Sequence, residues 1–205
     1  MQNTKKEKEI IKYNKLKIFL TGNLGYQGVD QNPTEDLVKT IIAKKDQFNK
    51  DNIEIINHKI FEVSTDYVDN NIHSLYKEIE HDKEGDVLFL IVHFGLNTDF
   101  TVPQIETTAV NKDGQFLNSK LDTECIVNNM NADKAKKGDC KLSKEVGNQL
   151  HNYIYYNSLQ YYSKIPNVFT TFIQIPLFKH YSLEQDLNLF SKFLENIKTI
   201  YLKHN

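Results

Sequence analysis

The feature that most constrains the fold is an uninterrupted apolar run, VLFLIVHF, from Val87 to Phe94. A strand with water on one face alternates apolar and polar residues, whereas a strand covered on both faces is apolar throughout. The run is also far too short to cross a bilayer as a helix. It therefore predicts a central strand in a sheet that carries helices on both faces.

Strand and helix patterns alternate on either side of this run. The segment KLKIFLT, Lys15 to Thr21, is a typical apolar strand. It is followed by NPTEDLVKTIIAKKDQF, in which Pro33 or Thr34 opens a helix with two acidic residues in its first turn. This pair of segments predicts a first βα unit.

The same alternation continues to the end of the chain. The predicted segments are a strand at Ile53–Val63, a helix ending near His81, a Tyr-rich helix at Val146–Tyr162, a strand at Asn167–Ile175 and a helix from Ser182 to about Lys203. Asn111 to Lys141 reads as a polar loop. The pattern predicts a three-layer α/β/α fold with a largely parallel, mixed sheet.

Composition indicates the class of protein. The chain has 205 residues, enough for one sizeable core, and a net charge of −2. We expect a basic arm over residues 1–14 and a single α/β domain over 15–205. The lysines are scattered outside the arm, so no nucleic-acid-binding surface is predicted. The first residues lack the apolar core of a signal peptide, so we expect a soluble cytoplasmic protein that does not bind membranes.

Cysteine and arginine usage exclude further classes. Cys125 and Cys140 have no CxxC partners, so neither a zinc knuckle nor a disulfide framework is indicated. All 25 cationic side chains are lysines, so an anion site could not use the bidentate clamp of arginine. Three glycines spaced GxxGxxG, Gly22, Gly25 and Gly28, lack the spacing of a dinucleotide-binding loop. We expect no cofactor.

Four stretches, in one order, resemble the pyroglutamyl peptidase (pyrrolidone-carboxylate peptidase) family. LTGNLGYQGVDQNPTEDLV is similar to the TGFxPFGG turn and the NPS or NPT that follows it in the family. FGLNTDFTVPQIETTAVN contains the family's Glu-x-x-Ala-x-Asn as Glu106, Ala109 and Asn111. VGNQLHNYIYYNSL is similar to the AGTYxCN helix start, and FIQIP to the FIHIP strand. The resemblance implies the family's α/β fold from about Lys15 onward.

The resemblance also implies a degenerate catalytic triad. His151 stands where the family has its nucleophilic cysteine, Gln174 stands where it has the general-base histidine, and Glu106 is retained. Cysteine-type amide cleavage needs a thiolate activated by an imidazole that a carboxylate orients. A glutamine amide cannot transfer that proton.

The substrate pocket of the family is altered as well. The positions of the two aromatic residues that hold the pyroglutamyl ring are occupied by Asn23 and Tyr26, and the polar residue that binds its lactam is replaced by Leu96. A buried amide that finds leucine instead of a polar partner loses affinity. The resemblance therefore does not imply specificity for pyroglutamate.

We expect a catalytically inactive protein that serves as a structural or interaction subunit. Its partners would be proteins of a multi-subunit assembly, of which a cytoskeletal particle is one example. Two alternatives stay open. One is a drifted hydrolase in which Glu106 and His151 form a carboxylate–imidazole pair that activates water, and the other is a small-molecule sensor. A glutamate and one histidine are too few ligands for a zinc site, so no metal is expected.

Overall fold

The structure is a computed structural model that describes residues 11–26, 28–80, 85–132, 140–144 and 150–203. The strands are β1 (Lys15–Asn23), β2 (Ile53–Phe61), β3 (Val87–Leu96), β4 (Gln104–Glu106), β5 (Thr108–Val110), β6 (Phe116–Asn118), β7 (Lys141–Ser143) and β8 (Val168–Ile175). The helices are α1 (Pro33–Ala43), α2 (Lys45–Phe48), α3 (Thr65–Glu80), α4 (Thr123–Met130), α5 (Leu150–Tyr161) and α6 (Leu183–Tyr201).

The main sheet has the strand order β2-β1-β3-β8-β4-β7. The four long strands, β2, β1, β3 and β8, are parallel, and β4 runs antiparallel to β8. Strands β5 and β6 form a separate antiparallel hairpin. The predicted α/β class with a largely parallel, mixed sheet is confirmed.

Helices cover both faces of the sheet because successive side chains of each central strand point to opposite faces. Every residue of β3 is buried. Alternate residues of β1 and β3, such as Ile18 and Leu90, pack in one core with α1, α4 and α6. The intervening residues, such as Phe19 and Ile91, pack in a second core with α3 and α5.

The predicted helix starts are confirmed at α1 and α6. Asn32 caps α1 by accepting a hydrogen bond from the Thr34 N–H at 3.0 Å, and Pro33 occupies the first turn. Ser182 and Gln185 form a capping box at the start of α6. Strand β1 approaches α1 closely at Gly22, where a Cβ atom would lie 2.7 Å from the Thr34 carbonyl oxygen.

The predicted polar loop from Asn111 to Lys141 is wrong in part. It contains strand β6 and helix α4, which begins at Thr123 behind the N-cap Asp122. Ile126, Val127 and Met130 of α4 are buried in the core. These elements are three and eight residues long, too short for a periodic pattern to be distinguished from a loop.

The two ends of the described chain lie side by side. Tyr13 is buried, its N–H donates to the Tyr201 carbonyl at 2.8 Å, and its carbonyl accepts from the Lys203 N–H at 2.8 Å. Residues 1–10 of the predicted arm, and residues 146–149 of the predicted Tyr-rich helix, lie outside the described residues. The division of the chain at residue 14 stays a prediction.

Candidate functional site

Glu106 and Gln174 meet where β4 pairs with β8. In the antiparallel register Glu106 is opposite Phe172 and Gln104 is opposite Gln174, so Glu106 and Gln174 are diagonal neighbours. The side-chain amide of Gln174 donates a hydrogen bond to the Glu106 carboxylate. Its oxygen accepts one from Asn97 Nδ2 at 2.7 Å. The carboxylate of Glu106 is buried, and its hydrogen-bond donor is an amide, which does not act as a base.

His151 lies on the first turn of α5, over the backbone of β3. A Cβ atom added to Gly95 would be 2.9 Å from two carbons of the His151 ring and 2.3 Å from Phe172 Cζ. The His151 and Phe172 ring centroids are 5.7 Å apart. The absence of a side chain at Gly95 therefore lets both rings reach the sheet.

Burial lowers the pKa of His151 to about 4, because the apolar surroundings penalise the charged imidazolium. The ring is therefore neutral at pH 7. A neutral imidazole with so low a pKa is a weak base, and it offers no thiol for covalent catalysis.

The three positions taken from the resemblance lie in one region of the sheet. Glu106 and Gln174 are joined by the hydrogen bond between their side chains. His151 packs on Gly95, which is paired with Gln174, and on Phe172, which is paired with Glu106. Their roles in chemistry stay a prediction.

The three predicted pocket positions differ in exposure. Asn23 is buried at the end of β1, where its Nδ2 donates to the Phe94 carbonyl at 3.0 Å. Leu96 is buried at the end of β3 and is paired with Ile175. Tyr26 is exposed beside a one-residue bridge to Val29. Within the described residues no hydrogen bond or ring contact links Tyr26 to Glu106, His151 or Gln174.

A contact that sequence reasoning missed fixes the segment after Glu106. Asn152 accepts a hydrogen bond from the Val110 N–H at 2.9 Å and donates one to the Val110 carbonyl at 2.5 Å. The Tyr155 hydroxyl donates to the backbone carbonyl of Glu106 at 3.3 Å. A sequence signal for Asn152 was present, because it matches the last residue of the AGTYxCN motif in VGNQLHNYIYYNSL.

A second missed feature is a buried polar chain around His93, inside the apolar run. Thr21 Oγ1 lies 2.7 Å from His93 Nδ1, and Ser158 Oγ lies 2.9 Å from His93 Nε2. The Tyr76 hydroxyl is 3.4 Å from Ser158 Oγ. Burial lowers the pKa of His93 to about 3, so the ring is neutral. All four residues are buried, so this series of hydrogen bonds joins β1, β3, α5 and α3 and does not form an open serine–histidine site.

A metal cluster and a membrane-spanning helix are both absent from the residues that the structure describes. These residues contain no group of three or more His, Cys, Asp or Glu side chains able to hold a metal ion. Over the same part of the chain, no helix has the length and apolar character needed to span a bilayer.

The fold is shared with solved pyrrolidone carboxyl peptidases. The enzyme from the keratin-degrading bacterium Fervidobacterium islandicum AW-1 superposes with a TM-score of 0.72 at 19% identity, over 90% of this chain and 99% of that one. The Thermococcus litoralis enzyme gives a TM-score of 0.70 at 16% identity, over 92% and 98%. A mutant of the Pyrococcus furiosus enzyme gives 0.69 at 19% identity, over 87% and 96%.

At these identities the comparisons show the fold, which the sequence motifs predicted. No protein-family model matches the sequence, and no curated protein matches it. The resemblance to pyrrolidone carboxyl peptidases thus extends over nearly the whole of both chains at the level of structure.

Proposed function

We propose, from the fold shared with pyrrolidone carboxyl peptidases, that this protein is a catalytically inactive member of that structural group and serves as a structural or interaction subunit. The observation that carries the proposal is the hydrogen bond from the Gln174 amide to the Glu106 carboxylate. In the resembled family an imidazole occupies that place and the carboxylate orients it. Here the carboxylate orients an amide.

The chemistry of the three positions supports inactivity. The Gln174 amide neither gains nor loses a proton near neutral pH, so it cannot act as the base that activates a nucleophile. His151 is neutral, and its ring is packed on Gly95 and Phe172. A covalent route would need a nucleophile and a general base; His151 does not provide the thiol nucleophile, and Gln174 does not provide the base.

Exposed aromatic side chains support a role in binding proteins. Phe116 on the β5–β6 hairpin is 66% exposed, and Tyr153 and Tyr161 on α5 are 37% and 38% exposed. Aromatic residues are enriched at protein interfaces because they bury a large area at a small cost in side-chain entropy. A multi-subunit assembly, cytoskeletal or of another kind, would cover such a surface.

The test measures release of a fluorogenic leaving group from a pyroglutamyl substrate by the purified protein. We expect no release, and no change after thiol alkylation. His151→Cys alone should stay inactive, since its thiol would lie beside an amide, keep a pKa of about 8.5 and remain mostly protonated at pH 7. His180→Cys, at an exposed histidine, is the matched control for a thiol outside the site.

The alternative is a drifted hydrolase that uses Glu106 and His151 on water. Turnover of the unmodified protein on ester or amide substrates, abolished by Glu106→Gln and by His151→Ala but not by His180→Ala, would establish it. Native mass spectrometry of the tagged protein purified from its own cells tests the subunit role. A mass equal to the free chain would contradict that role.

A further inference from the structure

Two strand edges of the molecule differ in how their backbone groups are used. Strand β2 is the first strand of the main sheet, and β6 pairs with β5 in the separate hairpin. An edge strand presents N–H and C=O groups with which a strand of another molecule can pair. Whether these groups are already bonded decides which edge can accept such a strand.

The edge of β2 is capped from within the chain. The Ile55 N–H donates to Asn49 Oδ1 at 2.8 Å, and the His58 N–H donates to Asn57 Oδ1 at 2.8 Å. Between these two residues a bulge at Ile56 shifts the register with β1. A strand added at this edge would have to displace both side-chain amides and follow the bulge.

The outward backbone groups of β6 are open. The Ser119 N–H donates to the Thr107 carbonyl at 2.9 Å, which shows that Ser119 faces the β5 side of the hairpin. In an antiparallel pair such residues alternate with residues whose N–H and C=O groups point away from the partner, here Phe116 and Asn118. Among the residues that the structure describes, no hydrogen bond reaches the backbone groups of these two.

The rest of the hairpin is covered by α5. Val110 is an outward-facing residue of β5, and Asn152 binds both its N–H and its C=O group. Ala109 and Leu117 pack against the aromatic residues of α5. Phe116 lies on the opposite face and is 66% exposed. The open backbone edge and the exposed aromatic ring therefore occur on the same strand.

We propose that β6 pairs with β6 of a second copy of this chain, antiparallel and around a two-fold axis at Leu117. In that register Phe116 of each copy is opposite Asn118 of the other, and the outward groups of these residues form four hydrogen bonds. The pattern is self-complementary, as a two-fold contact between identical chains requires. The two hairpins together form one four-stranded antiparallel sheet.

Charge and aromatic contact favour a second copy as the occupant. The segment 114–119, GQFLNS, contains no charged residue, although 25% of the chain is charged. Two copies therefore meet in this register without like charges opposite each other. The two Phe116 rings lie on the same face at diagonal positions, a separation that aromatic side chains can span.

This inference rests on the proposed subunit role and deepens it by naming one partner. The contact pairs only a few residues of each copy and is smaller than a standard interface, so we expect a dissociation constant on the order of 100 μM. Association through this contact stops at two copies, because each chain uses its one β6 edge.

Sedimentation equilibrium of the purified protein between about 10 μM and about 1 mM measures the association. Asn118→Pro removes an outward N–H and keeps the pairing with β5, since proline is tolerated where the N–H faces away from the sheet. Asn118→Ala is its matched control, because alanine keeps the N–H. Phe116→Lys places a charge at the contact, and Ile56→Lys makes the same change at a residue 37% exposed on β2. The melting temperature of each variant verifies that it is folded.

We expect Asn118→Pro to weaken dimerisation at least about tenfold, because the dimer loses two of its four hydrogen bonds. Phe116→Lys should weaken it to a similar degree, whereas Asn118→Ala and Ile56→Lys should each change it less than about threefold. In amide hydrogen exchange, Phe116 and Asn118 should gain protection as the protein concentration rises, and the capped His58 should not change.

A protein that stays monomeric up to about 1 mM would overturn the proposal and leave a strand of another protein as the occupant of this edge. A dimer that is unchanged in folded Phe116→Lys protein, or equally affected by Asn118→Pro and Asn118→Ala, would overturn it as well, because the contact would lie elsewhere. These results do not decide the proposed function, which the substrate assay and the mass of the protein from its own cells test separately.

Discussion

The side-chain amide of Asn152 accepts a hydrogen bond from the Val110 N–H and donates one to the Val110 carbonyl, so it satisfies both backbone polar groups of this residue of strand β5. The contact joins the first turn of α5 to the segment that follows Glu106 in the sequence. His151 is next to Asn152 on α5, and Glu106 is the last residue of β4, just before β5. The contact therefore helps to fix the position of His151 relative to Glu106.

Asn152→Asp should destabilise the protein. The aspartate keeps the acceptor for the Val110 N–H but replaces the donor to the Val110 carbonyl with a negative oxygen. We expect a loss of roughly 2 kcal/mol in the free energy of unfolding, measured by urea denaturation. Asn118→Asp, at an exposed position on β6, should change it by less than about 0.5 kcal/mol. Equal effects of the two variants would contradict a structural role for Asn152.

Gly95→Ala should destabilise the protein because its Cβ would collide with Phe172 and His151. Overpacking of this kind costs about 1–3 kcal/mol. Part of that loss should be recovered in the double variant Gly95→Ala, His151→Ala, measured as a positive coupling in a double-mutant cycle of thermal unfolding. Additive effects would show that the His151 ring does not occupy the space above Gly95.

Asp186 should make stability fall as pH rises. Asp186 is 0% exposed, neither carboxylate oxygen has a hydrogen-bond partner among the described residues, and burial raises its pKa to about 8. In the unfolded chain the pKa is about 3.9, so below that value both states are protonated and nothing is lost. Between the two values the folded state holds a proton that the unfolded state releases, and stability falls by at most about 1.4 kcal/mol per pH unit.

Asp186→Asn should therefore raise the melting temperature at pH 8 to 9 and change it little near pH 4. The matched control is Glu184→Gln, at an exposed carboxylate in the first turn of the same helix. Calorimetry across this pH range would show the slope disappearing in Asp186→Asn and persisting in the control. An unchanged slope in Asp186→Asn would show that another group controls it.

Lys120→Met should weaken the junction between α5 and β8. The Lys120 ammonium donates to the carbonyls of Tyr162, Ile165 and Val168 at 2.7, 2.6 and 3.1 Å. Tyr162 and Ile165 lie in the turn between α5 and β8, and Val168 is the first residue of β8, so the ammonium holds the turn to the strand. We expect a loss of about 1–3 kcal/mol in unfolding free energy and faster amide exchange near the end of α5. Lys112→Met, at an exposed lysine, should leave both unchanged.

The long elements were predictable from sequence because each carries its own local signal. The run from Val87 to Phe94 is apolar throughout since β3 is covered on both faces. Asn32 and Ser182 mark helix starts through contacts within three residues. Helix α4 and strands β4 to β7 were missed because they are short, and β4 is in addition held by strands distant in sequence, β7 and β8.

The site was predictable only in part for the same reason. The motifs identified Glu106, His151 and Gln174 as positions, but not the hydrogen bond that joins two of them across 68 residues of chain. The packing of His151 on Gly95 and the contact of Asn152 with Val110 are likewise long-range. No periodic pattern encodes a side chain that meets a backbone 42 residues away.

The pairing of Tyr13 with Tyr201 and Lys203 has a practical consequence for handling the molecule. Tyr13 precedes the amino end of β1, whereas Gly95 and Gln174 lie towards the carboxyl ends of β3 and β8. Because these strands are parallel, Tyr13 lies at the opposite end of the strands from Gly95 and Gln174. Residues 13 and 203 could be bridged by a short linker and the chain reopened elsewhere, which would give a circular permutant.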